Sequence, residues 1–182
     1  MLFNLNDVYQ IESGASHKKI YRFKNNNEGK IIVDFSYNYN DYLSFLEINN
    51  FLSMINISVP KIFDTDDTNS VIIMEDFGNI RYDKLINSID PKDILIDAIN
   101  SLIEIQKAQK PTVNKFFKKY DFSYFTVEIA EFADFYLSKK NIGKDVVDEF
   151  FDIWESEFEN LNFNWDSFVH KDFELSNLMH LS

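Results

Sequence analysis

The dominant spacing of apolar residues changes after Asn79, and that change restricts the folds open to the chain. Up to that point, one helical stretch after Asn40 apart, apolar residues come in short β-branched runs separated by turn residues, the habit of strands. Beyond it they recur at three-to-four spacing over long stretches, the habit of helices. The chain is therefore read as α+β, with residues 1–79 as a small sheet-bearing lobe and residues 80–182 as a helical one.

In the first lobe, Val8, Tyr9 and Ile11 lead into the small polar turn Ser13, Gly14, Ala15 and Ser16, and Ile20 to Phe23 forms a second run. The cluster Asn25 to Gly29 turns the chain into Lys30–Phe35, so three antiparallel strands are expected. Asn40 or Asp41 is a candidate N-cap for a helix with Leu43, Leu46, Phe51, Leu52 and Ile55 on one face, ending before Pro60. Two further strands, Lys61–Phe63 and Val71–Met74, flank a turn over Asp64–Asn69, and Glu75 to Asn79 breaks the pattern. In the second lobe, Asp90 and Pro91 start a helix with Ile94, Leu95, Ala98, Ile99, Leu102 and Ile103 as its stripe. Phe125, Ile129, Phe132 and Tyr136, then Val147, Phe150, Phe151, Trp154 and Phe158, form aromatic stripes whose plain reading is core packing.

Composition narrows the partners. A net charge of −12, with lysines scattered among carboxylates, repels a nucleic-acid backbone or an anionic membrane, so neither is expected. The chain has no cysteine, which removes disulfides, thiolate metal sites and thiol catalysis. No apolar run reaches the roughly 18 residues of a membrane span, and Met1–Asp7 has neither the basic start nor the apolar stretch of a signal peptide. A cytoplasmic location is the expectation.

The chemistry concentrates in Val169–Met179, where an apolar lead-in is followed by His170, Lys171, Asp172, four residues and Asn177. His-x-Asp-x4-Asn is the pattern of a kinase catalytic loop, in which a carboxylate orients a hydroxyl and an amide oxygen holds magnesium. On that reading Asp172 is the catalytic carboxylate, His170 a scaffold group bonding backbone, Lys171 a charge neutraliser and Asn177 the metal ligand. Ser13, Gly14, Ala15 and Ser16 would cover the phosphates, although a polar turn with one glycine is more often only a turn. Glu75 to Gly78, with Glu75 and Phe77 singled out, would meet adenine, and an ordinary interlobe turn is the alternative. Of His17, Lys18 and Lys19, at least two are expected to be solvated.

Taken together, Ser13–Arg22, Ile32–Asp34, Ile72–Gly78 and Val169–Met179 resemble the aminoglycoside phosphotransferase and choline kinase-like family. Within it the chain looks most similar to bacterial kinases that phosphorylate the anomeric hydroxyl of N-acetylmuramate and N-acetylglucosamine in cell-wall recycling. Tyr120 to Leu137 looks like that family's first substrate-side helix. The resemblance implies a protein kinase-like bilobal fold, ATP and Mg2+ as cofactors, and phosphoryl transfer to a hydroxyl of a sugar-like small molecule.

Two departures stand out. The third strand, Ile31–Asp34, lacks the phosphate-holding lysine of protein kinases, as the sugar-kinase branch also looks to. The family places a second magnesium-binding Asp roughly 15–20 residues beyond the loop Asn, whereas Ser182 follows Asn177 by five residues. The expectation is a C-terminally incomplete kinase, weakly active or inactive by itself. A non-catalytic kinase-like binding module and an aminoglycoside-modifying enzyme are the alternatives.

Overall fold

The structure, a computed structural model, describes residues 4–11, 17–25, 29–88, 90–108, 117, 121–161 and 168–181. The described residues up to Ala108, with those from His170 onward, form one compact unit, and those between Gln109 and Val169 form a second.

The first unit is built on a five-stranded sheet of β1 (Val8–Ile11), β2 (Lys19–Phe23), β3 (Lys30–Asp34), β4 (Ile62–Asp66) and β5 (Val71–Glu75). The strands lie in the order β1-β2-β3-β5-β4, and every pairing is antiparallel. Alternation along β3 and β5 loads both faces. Ile31, Val33, Ile72 and Met74 join Phe35 and Tyr42 in one cluster, while Ile32 and Val71 join Val8 in the other. Gly29 enters β3 at φ +60°, a left-handed conformation glycine adopts without strain.

Between β3 and β4 runs α1 (Tyr39–Met54), the one helix expected in this lobe. Its cap is Asn38 and not Asn40 or Asp41, because the Asn38 side-chain oxygen accepts the Asn40 N–H at 3.0 Å. Leu43 and Leu46 pack on the sheet as anticipated, but the most buried side chain is Tyr42, at 0% exposure. Burial pushes the Tyr42 hydroxyl pKa up to about 12, and that hydroxyl donates to Asp67. Asn56, at φ +61°, stops the helix, and the Ile57 N–H closes on the Leu52 carbonyl at 3.0 Å.

The strand expected at Lys61–Phe63 is longer and shifted, since pairing with β5 continues to Asp66 opposite Val71. β4 is a sheet edge, and exposed Asp64 and Thr65 suit such a position. The following turn is held by Asp66, which accepts from the Asn69 backbone at 3.0 Å and side chain at 2.8 Å.

After β5 come a short α2 (Tyr82–Leu85) and α3 (Pro91–Lys107), the latter capped by Asp90 as read from sequence. The stripe expected on α3 is wider than its buried line. Ile94, Ala98 and Ile105 are buried, whereas Leu95, Ile99 and Ile103 are exposed.

The second unit contains α4 (Phe122–Phe132), capped by Asp121, which continues into a π-helical segment (Ala133–Leu137), and α5 (Lys144–Asn160). Its aromatic stripes face one another through Phe122–Phe158, Phe125–Trp154 and Phe132–Phe150, at centroid distances of 5.2, 5.4 and 5.6 Å. No described helix in either unit is long and apolar enough to cross a membrane.

Candidate active site

The loop after Val169 is organised by its own polar groups. Lys171 sits at φ +71°, a left-handed conformation uncommon outside glycine, and turns the chain so that Asp172 and Asn177 meet. The Asn177 side-chain amide donates to the Asp172 carbonyl at 3.0 Å and to its carboxylate Oδ2 at 2.7 Å. A turn of 3-10 helix, Leu175–Asn177, closes the loop, with the Asn177 N–H on the Glu174 carbonyl at 2.9 Å. The Ser176 hydroxyl donates to the Glu174 carboxylate.

Asn177 donates through Nδ2, and its Oδ1 accepts no hydrogen bond among the described residues. This amide oxygen is a hard donor of the kind Mg2+ accepts when water and phosphate oxygens supply its other ligands. Among the described residues no larger group of metal-ligating side chains occurs. The donor set therefore fits a magnesium shared with a bound phosphate and does not fit an all-protein metal cage.

His170 departs from its expected role. Instead of bonding backbone, its ring packs edge-on against Phe173 at 5.4 Å, and its Nδ1 is buried with no hydrogen-bond partner among the described residues. Burial lowers the imidazole pKa, with the Asp172 charge opposing.

A short backbone ladder ties the loop to the segment after β5. The Tyr82 N–H donates to the Leu178 carbonyl at 3.0 Å, the His180 N–H donates to the Ile80 carbonyl at 2.8 Å, and Arg81 pairs with Met179 between them. The Tyr82 and His180 rings lie 6.2 Å apart beside it. The hinge-like break and the catalytic-type loop thus belong to one unit and share one strand pair.

The break itself is wrapped around a guanidinium. Arg22, on β2, reaches Asp76 with Nη2 at 2.7 Å from Oδ1 and Nε at 2.6 Å from Oδ2, the latter an ion-pair contact without hydrogen-bond alignment. Nη2 also donates to the Gly78 carbonyl at 3.0 Å, and Nη1 to the Asn79 side chain at 2.7 Å. The pair is desolvated, its side chains only 11% and 7% exposed. Hydrogen bonding to Asp76 holds the arginine pKa above its ordinary value against the opposing effect of burial.

Around this cation the Asp76 N–H bonds the Gly29 carbonyl at 2.8 Å, and the Gly78 N–H bonds Asp76 Oδ1 at 2.9 Å. Gly78 adopts φ +83°, which the curl requires. Glu75, expected to meet adenine, ends β5 with its carboxylate on the Lys61 N–H at 3.2 Å. The Phe77 N–H has no hydrogen-bond partner among the described residues.

Ser13, Gly14, Ala15 and Ser16 lie outside the described residues. Beside them, His17 and Lys19 are exposed and Lys18 is half-buried, its pKa lowered by that burial. Arg22 and Asp76 are the functional candidates that motif reading passed over. Their signal lay in composition. Arginine occurs only at positions 22 and 81 among 18 basic residues, and both form two-pronged contacts with a carboxylate, Arg81 with Asp83. Lysine cannot supply that planar fork.

Comparison with known proteins agrees on the fold. No family profile matches the chain. Among solved structures it is similar to the streptomycin–ATP–APH(2'')-IIa ternary complex, with a TM-score of 0.59 and 17% identity over 97% of this chain and 62% of that one. The fold is the kinase-like fold of that aminoglycoside phosphotransferase, as the sequence resemblance implied. Among curated proteins it is 24% identical over 143 residues to the N-acetylmuramate/N-acetylglucosamine kinase of Neisseria meningitidis serogroup B, strain MC58. That match takes in 74% of this chain and 41% of the relative, so the chain spans about two fifths of the length of the curated protein it matches. Both likenesses fit the family suspected from the sequence.

Proposed function

We propose that the chain carries the nucleotide-binding and catalytic-loop portion of an ATP-dependent phosphotransferase that acts on a hydroxyl of a small molecule, an amino sugar first among candidates. The observation that carries this reading is the Asp172–Asn177 pair, bonded at 2.7 Å and tied through residues 178–180 to residues 80–82 beyond the hinge. Residues 1–79 serve the nucleotide and residues 80–182 the acceptor side, with a cytoplasmic location.

In this reading Asp172 orients the acceptor hydroxyl and takes its proton as the new oxygen–phosphorus bond forms and the bond to the departing ADP oxygen breaks. Lys171 lies beside it to neutralise charge on the transferred group, and Asn177 offers Oδ1 to magnesium. The metal, when bound, neutralises phosphate charge. Ser13 to Ser16 cover the phosphates, while Glu75 and Phe77 frame the adenine, the Phe77 N–H, without a partner among the described residues, being a donor suited to a purine ring nitrogen. His170 shapes the loop from a half-buried position, with its Nδ1 turned inward.

The likeness to a cell-wall sugar kinase favours N-acetylmuramate and N-acetylglucosamine as acceptors, and the likeness to a streptomycin-bound enzyme makes aminoglycosides the comparison set. The test is phosphate transfer from ATP to each acceptor, with Asp172→Ala as control. Transfer to an amino sugar that disappears in the variant supports the reading, and transfer that survives it contradicts the role given to Asp172.

One observation favours a second reading, a nucleotide-independent binding module. The interior of β3 is Ile31, Ile32 and Val33, with Lys30 at the strand's start and its Nζ over the Phe63 ring at 5.1 Å. A protein that shows no thermal shift with Mg-ATP supports that reading.

A further inference from the structure

We propose that Arg22, through its pairing with Asp76, positions the hinge amide of Phe77 for the nucleotide base, so that a strand outside the catalytic loop sets base-side affinity. This rests on the nucleotide reading above and adds to it a residue with no place in the catalytic-loop motif.

Three observations carry it. Arg22 holds the Asp76 side chain before Phe77, and the Gly78 carbonyl and Asn79 side chain after it, from one guanidinium. Asp76 in turn uses Oδ1 to accept the Gly78 N–H, which closes a tight curl with Phe77 at its middle. The amides of Asp76 and Gly78 are consumed by protein partners, and that of Phe77 has none among the described residues. Within the curl Asp76–Gly78, among the described residues, this leaves the Phe77 amide as the donor for a ligand.

The chemistry also explains why the residue is arginine in a chain whose basic residues are mostly lysine. A planar fork delivers several N–H groups at fixed angles, so it can hold a carboxylate, a backbone carbonyl and a side-chain amide at once. Lysine at the same place reaches one of these and leaves the others to water. Arg22 is thus a positioning residue, since it touches the hinge and not the nucleotide.

A structural role alone would weaken every ligand of the site together, whereas base positioning weakens only ligands that have a base. Binding of ADP and of pyrophosphate is therefore measured by calorimetry, each with magnesium, on the wild type, Arg22→Lys and the double variant Arg22→Met/Asp76→Leu. The double variant replaces the buried pair by apolar groups and so avoids leaving one charge unpaired. The expected result is that its ADP affinity falls about tenfold, the size of a lost hydrogen bond, while its pyrophosphate affinity stays within about twofold. Arg22→Lys falls between.

Equal losses for both ligands, or unchanged ADP affinity in the double variant, overturn the proposal. If the double variant does not fold, Arg22→Lys decides, and it must lose ADP affinity selectively. A wild type that binds pyrophosphate and ADP equally well removes the base contact, and hence the proposal, while sparing the phosphate site. A wild type that binds neither defeats the nucleotide reading itself.

Discussion

The hinge and the catalytic-type loop lie at two ends of one strand pair, yet they are built oppositely. The hinge is organised by a buried charge pair, Arg22 and Asp76, with three of its residues bonded to one guanidinium. The loop is organised by exposed polar groups, Asp172 and Asn177, whose hydrogen bonds are local. Burial makes the first expensive to disturb. Exposure makes the second cheap to disturb and leaves its oxygens accessible to a ligand. Geometry at the hinge is thus coupled to stability, while chemistry at the loop is separable from it.

The sharpest way to break this contrast is Asp172→Ala. Phosphate transfer should fall about 10²- to 10⁴-fold, the usual weight of a positioned acid or base. The unfolding free energy should move by less than about 0.5 kcal/mol, because the side chain is exposed. Denaturant melts beside the activity assay check both numbers. A large loss of stability would show that the loop is a structural element.

Asp76→Leu inverts the pattern. It leaves the Arg22 guanidinium buried without its carboxylate, a change that costs about 3–5 kcal/mol, and the midpoint of urea unfolding should drop accordingly. Adding Arg22→Met should recover most of that loss, since an apolar pair is often as stable as a buried ion pair. If the single variant is as stable as wild type, the hinge pair is not the anchor described here.

A smaller effect separates the ends by pH. Burial lowers the His170 pKa below its ordinary 6.5, so the folded protein favours the neutral ring. Stability from this group is full above pH 6.5 and is lost as pH falls through the lower folded value, because the unfolded chain then binds the proton more readily. His170→Gln should lose less melting temperature than wild type between pH 7 and pH 5. The effect is modest, as the ring is only partly buried and Asp172 offsets the shift. Equal losses in the two proteins would show that another group governs the acid side.

These contrasts also explain what the sequence could reveal. The His-x-Asp-x4-Asn spacing is local, so Asp172 and Asn177 are legible as partners in the sequence. So are the sheet lobe and its helix, because the β-branched runs Ile31–Val33 and Val71–Met74 and the turn residues around them are short-range signals. The cap at Asn38 was missed because several polar residues precede that helix, and only the backbone chooses which one accepts the Asn40 N–H. The edge strand through Asp64 and Thr65 reads as a turn by composition, and its pairing with β5 overrides that propensity. Arg22 and Asp76 are separated by 54 positions, and only folding brings them together. No spacing rule encodes such a contact.

The claim that hinge and loop are two ends of one nucleotide site is tested most directly by amide NMR during a Mg-ATP titration. The backbone N–H of Phe77 and the side-chain amide of Asn177 should shift along one curve with a single dissociation constant, and Asp172→Ala should leave the Phe77 response largely in place. Shifts at one end alone, or two curves with different midpoints, would contradict a shared site.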